Sequence, residues 1–201
     1  MVDEINAKNI NPLVLFKNLE YTIIILSSIL IFVPSTTVFI YLPNFIKEVG
    51  GSPGLLGYIL FFNAISEAPI FFYGKEMIKK FKPISLLVIS SIFYTLRLII
   101  VFNAVSPSFF IIYGALQSLS FGVLLMTARF YINVIARARL KTTAQSILTM
   151  SSFGVGGIVA SLSGGYIMDV FGMTVLYRVS MTFSILANLL LVGLLLYKRW
   201  K

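Results

Sequence analysis

Segment 21–46 runs for 26 residues without a charged side chain. A helix needs about 20 apolar residues to cross the hydrocarbon core of a bilayer. Lipid offers the backbone no hydrogen-bond partner, so a chain that enters it must close its own bonds within a helix. Segments 142–168 and 179–197 are also free of charge. Three more apolar segments, 54–74, 84–102 and 109–135, carry a single charged residue each: Glu67, Arg97 and Arg129. The whole chain of 201 residues is 58% apolar and 11% charged, with a mean hydropathy of +0.96. Soluble domains are about 45–50% apolar and about 25% charged. The composition therefore excludes an ordinary soluble domain, and a disordered chain as well.

Six spans of about 20 residues would use about 120 residues and leave enough for connections. The connections read as turns. Gly50-Gly51-Ser52-Pro53 and Ser106-Pro107-Ser108 are breaker clusters, and Asp169-Val170-Phe171-Gly172 is a turn ahead of the last span. The expected fold class is an all-α membrane protein with six transmembrane helices. Residues 1–19 are expected to be a cytoplasmic lead-in, 20–198 the bundle, and 199–201 a basic cytoplasmic tail.

Lysine and arginine set the orientation. Twelve of the 16 fall at Lys8, Lys17, the 75–82 loop, the 137–141 loop and the C-terminal end. These segments share one side of the membrane if six spans alternate, so the positive-inside rule predicts N-in and C-in, in the cell membrane as a multi-pass protein. The formal charge of +9 is thus read as topology. Nucleic-acid binding would gather the basic residues on one folded face among stacking aromatics, whereas here they alternate with spans.

Charges inside a span are costly and mark functional candidates. At about 1.5 Å per residue, Glu67 lies about 10 Å from the inner end of its span, Arg129 about 9 Å and Arg97 about 20 Å. Matching depth favours a direct Glu67–Arg129 pair, with Arg97 higher in the same polar cavity, reaching toward it, or snorkelling outward. The pair would either fix helix register or act on a solute or proton. Asn63 lies one turn before Glu67 on the same face. Thr37, Tyr41 and Asn44 share a face of the first span. On the fourth, Ser118, Gly122 and Arg129 form a polar and small stripe at 100° per residue. One polar cavity between helices would satisfy all three faces.

The fifth span is bare: Gly154, Gly157, Ser161, Gly164 and Gly165 stand among its small residues. Small residues let helix backbones approach closely. This predicts packing against neighbours on two sides, static or sliding. The chain has no histidine and no cysteine. A Ser–His dyad, a His/Cys zinc site and a histidine proton relay are therefore excluded. No cofactor is expected, and an enzyme acting on lipid would need a clustered acidic or nucleophilic site that the sequence lacks.

Several stretches carry a resemblance. The run from Tyr41 to Ser52, YLPNFIKEVGGS, resembles the YLKELGGS-like end of helix seven in major facilitator superfamily transporters. Ser66 to Phe72, SEAPIFF, is similar to the SEIPFFF stretch of helix eight. Ala144-Gln145-Ser146 resembles the start of helix eleven, and Gly164 to Gly172, GGYIMDVFG, the GGxLxDRFG text that ends it. Two positions depart: Lys82 stands where the family has glycine, and Val170 where it has a basic residue. The branch resembled is that of sugar and nucleoside proton symporters.

The resemblance implies a C-terminal six-helix half, with alternating access between two halves around a midplane solute. It implies that helices one and four line the cavity, helices two and five form the seam, and Glu67 couples protons. The expected partners are the bilayer, a small polar solute, and a second six-helix half, as a separate chain or a second copy. The rival expectation is a split-gene remnant with no transport of its own.

Overall fold

The computed structural model describes residues 11–200. Among them, every regular element is helical. After a 3-10 turn, Pro12–Lys17, six helical passes follow. They are α1 (Leu19–Glu48), α2 (Gly54–Lys80), α3 (Pro83–Phe102), α4 (Ser108–Ile135), α5 (141–171) and α6 (173–200). Residues 1–10 of the expected lead-in and Lys201 of the tail lie outside the described residues.

Four continuous helical runs are long and apolar enough to cross a membrane, and α2 is a fifth if its two arms count as one span. α2 bends by 54° at Phe71, just after Pro69, which cannot donate to the helical ladder. The last run, Ala138–Trp200, is 63 residues long, or about 95 Å if it were straight, three times a bilayer core. It is not straight. Gly172 has φ 79° and ψ 178°, a conformation essentially confined to glycine. A Cβ built on Gly164 would lie 3.9 Å from Leu176, although 12 residues of straight helix would separate them by about 18 Å. The chain therefore folds back on itself at Gly172. The expected turn at 169–172 is reduced to this one residue, with 169–171 still helical.

Contacts give the direction of each pass. The Tyr21 hydroxyl donates to the Ala144 carbonyl at 3.3 Å, Gly156 abuts Phe32, and Gly164 abuts Tyr41, so α5 runs parallel to α1. The Phe45 and Tyr177 rings meet edge-to-face at 3.9 Å, and Lys198 pairs with Glu20 at 3.0 Å. α6 thus runs antiparallel to α1, and both ends of the described chain lie at one end of the bundle. α2 and α4 run parallel, since Gly114 faces Ile59 and Gly122 faces Glu67.

Local chemistry explains the ends of α1. Asn18 caps its start, accepting from the Glu20 amide at 2.9 Å. At its end the Gly51 amide donates to Ile46 at 2.7 Å and the Gly50 amide to Lys47 at 3.1 Å, with Gly50 at φ 77°. This is the Schellman arrangement, in which a left-handed residue lets the last carbonyls find donors. The core runs along the α1, α3, α4 and α6 seams and contains Tyr21, Ile31, Tyr94, Phe110, Ile132 and Leu191.

Candidate functional site

Glu67 lies midway along α2, half-buried, and faces α4. Its Oε1 accepts a hydrogen bond from Gln117 Nε2 at 3.1 Å. Glu67 lines an open cavity of about 400 Å³. Lys75, Phe121, Met126 and Arg129 are among its other lining residues. One carboxylate thus shares a partly apolar recess with two cations. A buried polar group in such a setting needs a hydrogen-bond partner, and Gln117 supplies the donor.

Glu67 and Arg129 line one cavity, but the expected direct pair does not form. Among the described residues no salt bridge joins them; the ion pairs are Lys79–Glu76 and Lys198–Glu20. Arg129 is exposed at the cavity mouth. Its backbone carbonyl accepts from Gln145 Nε2 at 2.6 Å, which ties α5 to α4 at that level.

Arg97 corrects the expectation more sharply. It neither snorkels nor enters this cavity. It is 2% exposed; its Nε donates to the Tyr113 carbonyl at 2.7 Å, and its guanidinium lies 3.6 Å from the Tyr113 ring centre. A planar cation that stacks on a ring and donates to a carbonyl is stabilised without a carboxylate. Arg97 thus joins the α3 and α4 ends.

The single polar cavity expected from three helix faces does not form either. Asn63 sits beside Gly114 near Glu67, with its Oδ1 buried and without a hydrogen-bond donor. Thr37 and Tyr41 instead pack on Gly164 of α5. Asn44 is exposed and lines a different recess with Lys47 and Gly51 at the end of α1. Ser118 is buried within α4 and does not line the Glu67 cavity.

On α4 a π-helical turn at Ser118–Gly122 breaks the expected stripe. It inserts one residue into the helix, so a stripe counted at 100° per residue does not continue through it. Gln117, the residue before the turn, faces Glu67 in place of Ser118. Gln117 is not among the expected site residues, although Gln117 and Gln145 are the only two glutamines in the chain. A second π turn, Met150–Val155, interrupts α5. Phe121 in the first and Phe153 in the second both pack on Phe32 of α1, with ring centres 5.1 and 4.5 Å apart.

The small residues of α5 pack tightly against α1 on one face. Gly156, Ala160 and Gly164 are buried, the two glycines against Phe32 and Tyr41 of α1. Gly154 and Gly157 meet nothing within 4 Å, and Ser161 is exposed, with its hydroxyl bonded back to the Gly157 carbonyl. The expected close neighbour on the Gly154 and Gly157 face is not found among the described residues.

A bundle of helices this long and apolar is the architecture of a multi-pass membrane protein. Comparison with known proteins places it more closely. The MFS_1 like family matches residues 3–179, and the chain belongs to that family of major facilitator transporters. It is 26% identical over 165 residues to the "Uncharacterized transporter YwbF" of Bacillus subtilis, covering 81% of this chain and 41% of that protein. It is 28% identical over 182 residues to a "Maltose permease" of Geobacillus stearothermophilus, covering 89% of this chain and 45% of that protein. The chain thus spans less than half the length of these curated relatives. Its family is one of transporters, not of enzymes.

Proposed function

We propose that the chain is one six-helix half of a secondary transporter that moves a small polar solute, of the sugar class, by alternating access coupled to protons. The observation that carries this reading is Glu67, held by Gln117 in an open cavity on the inter-helix face. The maltose permease likeness supports the solute class. Six alternating passes with both chain ends together support six spans, and the clustering of lysine and arginine at that end supports N-in and C-in in the cell membrane. The segment before α1 and residues 199–201 are then the cytoplasmic lead-in and tail.

The second half docks on α2 and on the open small-residue face of α5. Exposed Gly154 and Ser161, with half-buried Gly157 facing open space, suit close approach by another helix better than contact with lipid tails, because packing without a hydrophobic drive depends on small residues. That half is another six-helix segment or a second copy of the chain. Protonation of Glu67 removes the charge that Gln117 and the cations of the recess favour. This shifts the balance between two packings of α2 against α4 by the difference in its interaction with each.

The test is uptake into proteoliposomes that contain the assembled protein, with labelled maltose as probe and an imposed pH gradient. Glu67→Gln is expected to abolish uphill uptake while retaining exchange, and Gln117→Leu to weaken coupling. Wild-type uphill uptake by Glu67→Gln would refute the role given to this carboxylate.

A further inference from the structure

A second cavity, of about 430 Å³, lies at the end of the bundle where the described chain both begins and ends. It shares no lining residue with the Glu67 recess. Lys82 and Ser85 reach it from the start of α3, Tyr131 from α4, and Lys198 and Arg199 from the end of α6, over a floor that includes Ile84 and Leu195.

Its charges divide into committed and uncommitted ones. Lys198 donates to Glu20 at 3.0 Å and to the Tyr131 hydroxyl at 2.5 Å. Tyr131 in turn donates to the same Glu20 oxygen at 2.6 Å. That trio satisfies itself. Lys82 and Arg199 make no ion pair among the described residues, and the Ser85 hydroxyl makes no hydrogen bond there. Two unpaired cations and a free hydroxyl therefore converge above an apolar floor. Beside them Trp200 is 90% exposed and Tyr197 is 42% exposed, as aromatics are at the headgroup level of a membrane.

We propose that this cavity binds the phosphate of an anionic membrane phospholipid. A phosphate is matched by the guanidinium fork of Arg199 and the ammonium of Lys82, with Ser85 as a neutral donor. The formal charge, three cations against Glu20, is complementary to an anionic headgroup. Ile84 and Leu195 would lie under the first carbons of the acyl chains. A free phosphate ion would satisfy the cations but leave that floor uncovered, which favours the lipid as the source. The inference does not depend on the solute or on Glu67.

The test uses the purified protein in a neutral detergent, with thermal unfolding followed as phosphatidylglycerol, phosphatidylcholine or inorganic phosphate is added. A ligand at a hundredfold excess over its Kd raises Tm by about 5–10 °C in a chain of this size. Phosphatidylglycerol is expected to give such a shift, phosphatidylcholine little, and inorganic phosphate little. In the double variant Lys82→Gln/Arg199→Gln the shift is expected to disappear. Lys82 precedes α3 without a side-chain cap bond and Arg199 is exposed, so the fold does not depend on either. Lys79→Gln/Lys80→Gln removes equal charge outside the cavity and should keep the shift.

Native mass spectrometry gives a second readout that is independent of the variant's own Tm. Phosphatidylglycerol should stay bound to the wild type and be lost from the cavity variant. Equal loss in both double variants would show generic charge attraction and overturn the site. An equal shift with inorganic phosphate, or with phosphatidylcholine, would overturn the lipid assignment.

Discussion

The contact between α5 and α1 can be measured with one methyl group. Gly156 lies against α1 so closely that a Cβ added there would stand 2.9 Å from the Phe32 Cβ and 3.5 Å from the Ile29 carbonyl oxygen. Carbon atoms prefer about 3.5–4.0 Å, so α5 would have to withdraw by about half an ångström or more. Phe32 cannot yield instead, because its ring is wedged between Phe121 and Phe153. Overpacking of this kind destabilises by about 1–3 kcal/mol.

The same Gly156→Ala change improves helix propensity by about 1 kcal/mol, which would mask part of the loss. Gly157→Ala removes that ambiguity. It lies one residue on in the same helix and meets nothing within 4 Å, so it keeps the propensity gain without the clash. The difference between the two variants isolates the contact and is therefore about 1–3 kcal/mol. At about 2–4 °C per kcal/mol for a chain of this length, Gly156→Ala should melt about 2–12 °C below Gly157→Ala. Thermal unfolding of both variants in the same detergent measures this. Equal midpoints, or Gly156→Ala melting higher, would refute the close packing of α5 on α1.

Three further outcomes are expected. Gly172→Ala has open space around it but would force a side chain into φ 79°; a loss of about 1–3 kcal/mol should appear as a lower Tm, and an unchanged Tm would argue against the reversal at this residue. Arg97→Lys keeps the charge but loses the planar stack on Tyr113, and should lower Tm by several degrees; a neutral result would mean that the ring contact contributes nothing. Gly157→Leu fills the open face of α5, so it should not lower the bundle's own Tm while reducing assembly in light scattering after size exclusion; an intact assembly would exclude this face from the seam with a second half.

Much of the helical layout could be read from residue pattern. The expected segments 21–46, 84–102 and 109–135 differ from α1, α3 and α4 by only a few residues at either end. Long apolar runs ended by glycine, proline or lysine leave the backbone few alternatives to helix. The shared cavity of Glu67 and Arg129 was also legible, because helical rise converts sequence position into depth. Their direct pairing was not. Depth says nothing about azimuth, and the π turn at Ser118–Gly122 rotates the lower part of α4 relative to any α-helical count. The same turn brings Gln117, and not Ser118, to Glu67.

Arg97 shows a second limit. Its sequence neighbours are apolar, and its stabilising partners, the carbonyl and ring of Tyr113, belong to another helix. Thr37 and Tyr41 are alike in this respect: their polar face meets Gly164 on α5, a contact that no spacing within α1 encodes.

The sequence alone determined that this chain is helical, that lipid is its solvent, and where its few intramembrane charges lie in depth, because burying a backbone in hydrocarbon leaves one economical conformation. Only the tertiary structure decided which of those charges meet, which helix face stays open, and that Gly172 alone reverses the chain. Those outcomes depend on how the helices are rotated about their axes, and that rotation is set by close packing between residues far apart in the chain.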